Sequence, residues 1–332
     1  MNLFVAAVVL AVLVIALPGL PAEAAKKPPP PPPAADPAIA YTCSGNLMVM
    51  DADGSNQTTL LAESAKKDYN CQDPSWSPDG NWIVFSASYP EKGIYMIKKD
   101  GTGLCEVIAT NETSWVHPQW SAIAGYIVYS DSEGSGQPRD LYLVEPVADA
   151  GSCANLTESA TDYEFWPTWS PDGTRVAAQV FGEDDDGDGW PDPDVVVFDI
   201  TEANGVPTVA GSTNLTDSGS LQSYDCFHVD WARTSDKIAV GALPEGDEVY
   251  PSENDIWVID LSVSDPSPPL NITQSPTIWV GDPTWSPDDS EIAYRRGGSI
   301  YKMKADGSSS PVLLAAPPRS NMCLEQPDWR HN

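Results

Sequence analysis

Six tryptophans recur along this chain in nearly the same setting: DPSW ends at Trp76, HPQW at Trp120, WPTW at Trp169, HVDW at Trp231, DPTW at Trp285 and QPDW at Trp329. Successive members stand 44, 49, 62, 54 and 44 residues apart. That period is too long for a helical hairpin repeat. It matches one short antiparallel sheet per repeat, the sequence signature of a β-propeller.

The first full unit shows what each repeat encodes. After Trp76, Ser77-Pro78-Asp79-Gly80 is turn chemistry: proline presets one backbone angle, aspartate bonds the backbone locally, and glycine accepts a positive φ. Trp82-Ile83-Val84-Phe85 and Ile94-Tyr95-Met96-Ile97 then read as strands, the second followed by an Asp100-Gly101 hairpin. A repeat is therefore strand a, turn, b, loop, c, Asp-Gly turn, d. The turn returns at Trp169-Ser170-Pro171-Asp172-Gly173 and, with one change, at Trp285-Ser286-Pro287-Asp288-Asp289. The chain stops just after its last tryptophan, whereas Ile39–Thr42 and Leu47–Met50 are strand-like with no tryptophan turn before them. The expected fold is an all-β, six-bladed β-propeller closed by N-terminal strands pairing with the C-terminal strand, which removes exposed sheet edges.

The W-S-P-D-G turns, the aliphatic strand b, the (I/L)-(Y/W)-x-(I/M/V) strand c and the run from Asn155 to Gly173 resemble the propeller of the periplasmic TolB family. The likeness covers about residues 38 to 332. TolB itself carries a small α/β domain before its propeller, and no such domain is expected between the leader and Ile39. What the resemblance implies is a fold. Related propellers serve as interaction platforms, peptidase gates and, in one lyase family, catalytic domains, so function must come from the site.

Residues 3–17 are an apolar run followed by Pro18, Pro21 and the small-residue site Ala22-Glu23-Ala24. This reads as a secretory leader over residues 1–24, a Pro-rich linker over 25–37 and the propeller over 38–332, hence a periplasmic or extracellular protein. An uncleaved leader is the alternative and the only expected link to a membrane, although the run is short of the roughly 20 apolar residues of a spanning helix. With 17 Lys and Arg against 48 Asp and Glu, the formal charge is −31. Such a surface repels nucleic acid and attracts cations or basic partners. A monomer is expected. Six cysteines in an exported chain imply disulfides. Cys71, Cys226 and Cys323 are expected on the loops entering strand a, Cys105 and Cys153 at the start of strand d, and Cys43 at the end of strand b.

Two constellations carry possible chemistry. In the third repeat, Asp184, Asp186, Asp188, Trp190 (through its carbonyl) and Asp192 occupy calcium-loop positions, with Gly189 at the tight turn. Val195 replaces the usual bidentate glutamate, and Asp194 is the expected substitute. A second acidic insertion, 244–255, fills the same b-to-c slot of the fourth repeat. Separately, three residues before each tryptophan stand Asp73, His117, Trp166, His228, Asp282 and Gln326. If the repeats are equivalent, these ring a channel mouth, rimmed by Tyr69, Trp115, Phe165, Tyr224 and Trp279. An aromatic, wet mouth suits a protein or glycan ligand. The alternative is a transition metal held by the ring and a metal-dependent enzyme resembling the lyases. Five N-x-T sequons are present, at Asn56, Asn111, Asn155, Asn214 and Asn271. No G-x-S-x-G, phosphate loop or H-E-x-x-H occurs, so no nucleophile or zinc motif argues for an enzyme.

Overall fold

The computed structural model describes residues 38–62, 70–88, 91–112, 116–134, 137–182, 193–203, 206–216, 224–244, 254–263, 268–275, 278–319 and 323–331. Leader and linker lie outside them. Among the described residues the regular structure is all β, and the molecule is a β-propeller.

In chain order the strands are β1 (Ile39–Cys43), β2 (Asn46–Met50) and β3 (Thr58–Leu61); then β4 (Cys71–Trp76), β5 (Trp82–Ala87), β6 (Gly93–Lys98) and β7 (Cys105–Ala109). The second repeat has β8 (Gln119–Trp120), β9 (Ile127–Ser132), β10 (Arg139–Val144) and β11 (Ala154–Asn155). The third has β12 (Tyr163–Trp169), β13 (Arg175–Phe181), β14 (Pro193–Ala203) and β15 (Val206–Asn214). The fourth has β16 (Tyr224–Trp231), β17 (Lys237–Pro244), β18 (Asp255–Asp260) and β19 (Leu270–Asn271). The fifth has β20 (Val280–Trp285), β21 (Glu291–Arg296), β22 (Ser299–Lys304) and β23 (Val312–Ala315), and β24 (Leu324–Trp329) ends the chain.

These strands form four four-stranded sheets and one eight-stranded sheet. The eight-stranded sheet unites the second and third repeats through a single parallel pairing, Arg139 opposite Tyr163. Another sheet has the order β24-β1-β2-β3 and brings both ends of the domain together, Ile39 opposite Trp329 and Cys43 opposite Leu324.

The apolar core lies between neighbouring sheets. Val84, Ile94 and Met96 pack on Ile127 and Tyr129; Val128 and Leu141 on Trp169 and Val176; Ala177 and Val195 on Trp231; Ile256 and Val258 on Trp285 and Tyr294. Ala293 and Ile300 then meet Ile39, Met50 and Trp329, and Ala40 and Leu47 meet Trp76 and Phe85. Each cluster thus ties one repeat to the next. Trp76, Trp231 and Trp285 are fully buried, so truncating one to alanine costs about 3–5 kcal/mol.

The expectations need two local corrections. Cys71 opens β4 and Cys226 lies inside β16, both buried, because each strand a begins earlier than its turn chemistry announces; only Cys323 precedes its strand. And the third repeat is long partly because β14 and β15 form an extended hairpin of 11 and 9 residues, in addition to the acidic insertion.

Candidate functional site at the cavity mouth

The pairing of strands a and b slips at the same place in repeat after repeat. The register shifts between Gln72 and Ser75, Phe165 and Thr168, Phe227 and Asp230, and Gly281 and Thr284. In each bulge the residue three before the tryptophan takes a left-handed backbone. Asp73, His117, Trp166, His228, Asp282 and Gln326 all have φ between 45° and 54°. Such angles in non-glycine residues cost on the order of 1–3 kcal/mol each. The strain has a geometric result: all six residues line one cavity of about 90 Å³.

Their contacts are unequal. His117 Nε2 stands 3.5 Å from Asp73 Oδ1, and His228 Nδ1 stands 3.3 Å from Asp282 Oδ1. Between the two histidines lies Trp166, its ring 4.3 Å from each imidazole centroid. Arg295 reaches Asp282 at 3.8 Å and stacks on Trp279 at 4.6 Å. Burial, reinforced by the charge of Asp282, pushes Asp73 up to about 7. Burial also lowers His228, with Asp282 opposing, so neutral imidazole is favoured there. The mouth is therefore amphipathic: one indole, two imidazoles and two carboxyls.

A second layer lies one step deeper, which the sequence reading missed. The residue immediately before each tryptophan accepts a hydrogen bond from the backbone N–H of the next tryptophan. Trp120 donates to Ser75 Oγ (3.3 Å), Trp169 to Gln119 Oε1 (2.8 Å), and Trp231 to Thr168 Oγ1 (3.0 Å). Trp285 donates to Asp230 Oδ2 (2.9 Å), Trp329 to Thr284 Oγ1 (3.2 Å), and Trp76 to Asp328 Oδ2 (2.7 Å). The last bond returns to the first repeat. The signal was present, since Ser, Gln, Thr, Asp, Thr and Asp at these positions are all side-chain acceptors.

Arg233 spans the floor. Its guanidinium donates to Asp230 Oδ1 and Asp328 Oδ1, both at 3.1 Å, and to Thr284 Oγ1 at 3.2 Å. Burial raises both carboxyls, Asp328 to about 7, and Arg233 opposes the shift. The fourth repeat reads Trp231-Ala232-Arg233-Thr234 where others read W-S-P-D. Asp289, the residue that replaces glycine in the fifth repeat's turn, accepts from Arg233 N (2.7 Å) and Thr234 Oγ1 (2.7 Å). The two departures from the repeat consensus are thus one device.

Other sequence candidates resolve differently. Of the rim aromatics, Phe165 packs on Phe181 and Arg139, and Tyr224 on Trp257, while Tyr69 and Trp115 lie outside the described residues. The asparagines of the sequons are spent inside the fold. Asn155, Asn214 and Asn271 donate to Asp140, Asp194 and Asp255, the residues that lead strand c. Thr157, Thr216 and Thr273 complete the clasp by accepting from the following backbone N–H of Leu141, Val195 and Ile256. Asn56 donates to Asp51 and Asn111 to Ser132 O. Asp184, Asp186, Asp188, Trp190 and Asp192 lie outside the described residues. Asp194 is described, and both its oxygens serve the clasp to Asn214 and Thr216 at 2.8 and 2.6 Å. Among the described residues no three His, Cys, Asp or Glu side chains are placed to hold a metal ion.

Set beside solved structures, the chain overlays TolB from Acinetobacter baumannii with a TM-score of 0.66 at 18% identity, over 89% of this chain and 67% of that one. This chain has the TolB propeller fold. The same likeness, 0.66 at 13% identity, extends to Kuenenia stuttgartiensis hydrazine synthase over 88% of this chain and 46% of that one. At such identity the likeness carries fold alone. No family model matches the sequence. An uncharacterized protein of Agrobacterium fabrum, Atu1656, is 28% identical over 134 residues, which is 39% of this chain; the match spans 44% of that relative's length.

Proposed function

We propose that the chain is an exported propeller of six blades, its ring closed by the β24–β1 pairing, that acts as a protein- or glycan-binding module of the cell envelope and takes its ligand at the cavity mouth. Six blades are supported by the six-step cycle of tryptophan N–H bonds and by core clusters that link each repeat to the next, including last to first. The eight-stranded sheet is then two blades touching at one residue pair.

The observation that carries the binding role is the His117–Trp166–His228 aromatic cluster, held at the mouth by strained backbone. Strain of this kind persists where the surroundings over-determine it, and it marks sites of ligand contact. A flat indole between two imidazoles offers apolar surface with polar edges, the surface that peptides and sugars use. The test is selection of ligands from a displayed peptide library and a glycan array by the wild-type chain, followed by affinity measurement. Trp166→Ala is expected to weaken a selected ligand at least tenfold, and Ile123→Ala, an exposed residue elsewhere, to leave it unchanged. Ligands indifferent to Trp166, or none from either source, would overturn the reading.

The same proposal includes a calcium ion ordering the acidic segment 183–194. Its support is the ligand spacing and the mutual repulsion of carboxylates so close in sequence.

A further inference from the structure

The strand pair that joins the ends of the domain carries two cysteines. Cys43 is the last residue of β1 and stands opposite Leu324; Cys323 immediately precedes Leu324. Opposed Cα atoms in an antiparallel pair are about 4.5–5.5 Å apart, and one residue along the strand adds a rise of about 3.4 Å, so the diagonal is about 5.6–6.5 Å. That falls inside the Cα separation disulfides span, roughly 4.4–6.8 Å.

Cys323 lies just outside β24, where strand alternation no longer fixes its side, and both side chains lie toward the fifth repeat. Cys43 packs in the cluster with Ala293 and Ile300 of the fifth repeat. Cys323 Sγ lies 3.3 Å from where a Cβ on Gly298 would be, in the hairpin that leads into β22. Gly298 itself accepts the Leu324 N–H, and its φ of 81° suits glycine at this close approach. Cys71, the other cysteine near the seam, packs on the opposite side with Ala40, Leu47 and Trp76. The geometry therefore favours pairing Cys43 with Cys323 over pairing either with Cys71.

We infer that Cys43 and Cys323 are the site of a disulfide that fastens the closing strand pair, formed by exchange with a disulfide-bearing thiol oxidant. Exposed Cys323 attacks the oxidant's disulfide as thiolate and joins one of its sulfurs, releasing the other as thiol. Buried Cys43 then attacks the Cys323 sulfur and releases the second oxidant thiol. Two protons and two electrons pass from the protein to the oxidant. Burial raises Cys43 above the ordinary thiol range, with the neighbouring Cys323 adding to the shift, which assigns the exposed partner as first nucleophile. The crosslink would join residues 280 apart in sequence and so constrain most of the unfolded chain. It stands or falls independently of any ligand at the cavity mouth.

The test uses the full chain, purified without reductant, incubated with oxidised glutathione, blocked with an alkylating agent and digested unreduced. Mass spectrometry is expected to find the tryptic peptide of Cys43 joined to that of Cys323. Reduction is expected to lower Tm by about 5–15 °C. Cys43→Ser and Cys323→Ser should each melt near the reduced wild type and no longer respond to reductant. Recovery of both peptides singly alkylated, or of Cys43 joined to Cys71, would overturn the inference; the map is read on the wild type, so a variant that fails to fold does not decide the matter.

Discussion

The residue one before each tryptophan and the residue three before it sit on the same bulged segment, yet the two layers do opposite work. In the deeper layer every member is an acceptor, and every one takes the next tryptophan's N–H. In the upper layer only part of the ring follows that logic. Asp73 N donates to Gln326, Gln326 N to Asp282 and His117 N to Asp73, while Trp166 and His228 bring aromatic faces instead. Repetition in one layer builds a frame. Divergence in the other leaves a surface with chemistry of its own.

The sharpest way to break the contrast is to open the deep layer at its charge centre. Arg233 is buried between Asp230 and Asp328, so Arg233→Met strands two buried carboxyls and is expected to cost about 3–5 kcal/mol in urea unfolding. Next comes Thr168→Val, which keeps the shape and removes the acceptor of Trp231 N–H; about 1–3 kcal/mol should be lost by the same measurement. Trp166→Ala should cost less than either while abolishing most ligand affinity. If it destabilised as much as Arg233→Met, the two layers would not differ in kind.

A further effect comes from pH. Asp73 is raised by burial to about 7 from an unfolded value near 4, so below neutrality the folded state holds a proton that the unfolded state has released. Stability from this group is complete below about pH 4 and is lost as pH rises through 7. Asp73→Asn should flatten the slope of unfolding free energy against pH between 4 and 7. Glu164, raised by burial to about 8, adds the same sign and extends the window upward. The smallest effect is the proposed calcium site: chelator should lower Tm by a few degrees in the wild type, and Asp186→Asn with Asp188→Asn should remove the response.

Most of the frame was legible because turn chemistry and strand alternation are local. Trp, Pro, Asp and Gly announce the a-to-b turn wherever it occurs, and the six residues three before the tryptophans were found by register alone. What was not legible was partnership across repeats. Nothing local pairs Asp328 with Trp76, or Arg233 with Asp289; both bonds join residues that only the tertiary arrangement makes neighbours. The sequons have a structural use of their own. Asn155 donates to Asp140 and Thr157 accepts from the Leu141 N–H, so the motif clasps the head of strand c.

The central claim is that the deep layer is one unbroken ring, and native-state amide hydrogen exchange of the six tryptophan N–H groups tests it most directly. In a closed ring, Trp76, Trp120, Trp169, Trp231, Trp285 and Trp329 should all exchange only through global unfolding, with one common free energy and equal sensitivity to denaturant. Faster exchange at Trp76 and Trp329 by local opening, with the other four still protected, would show the ring to be open at the seam and contradict the account.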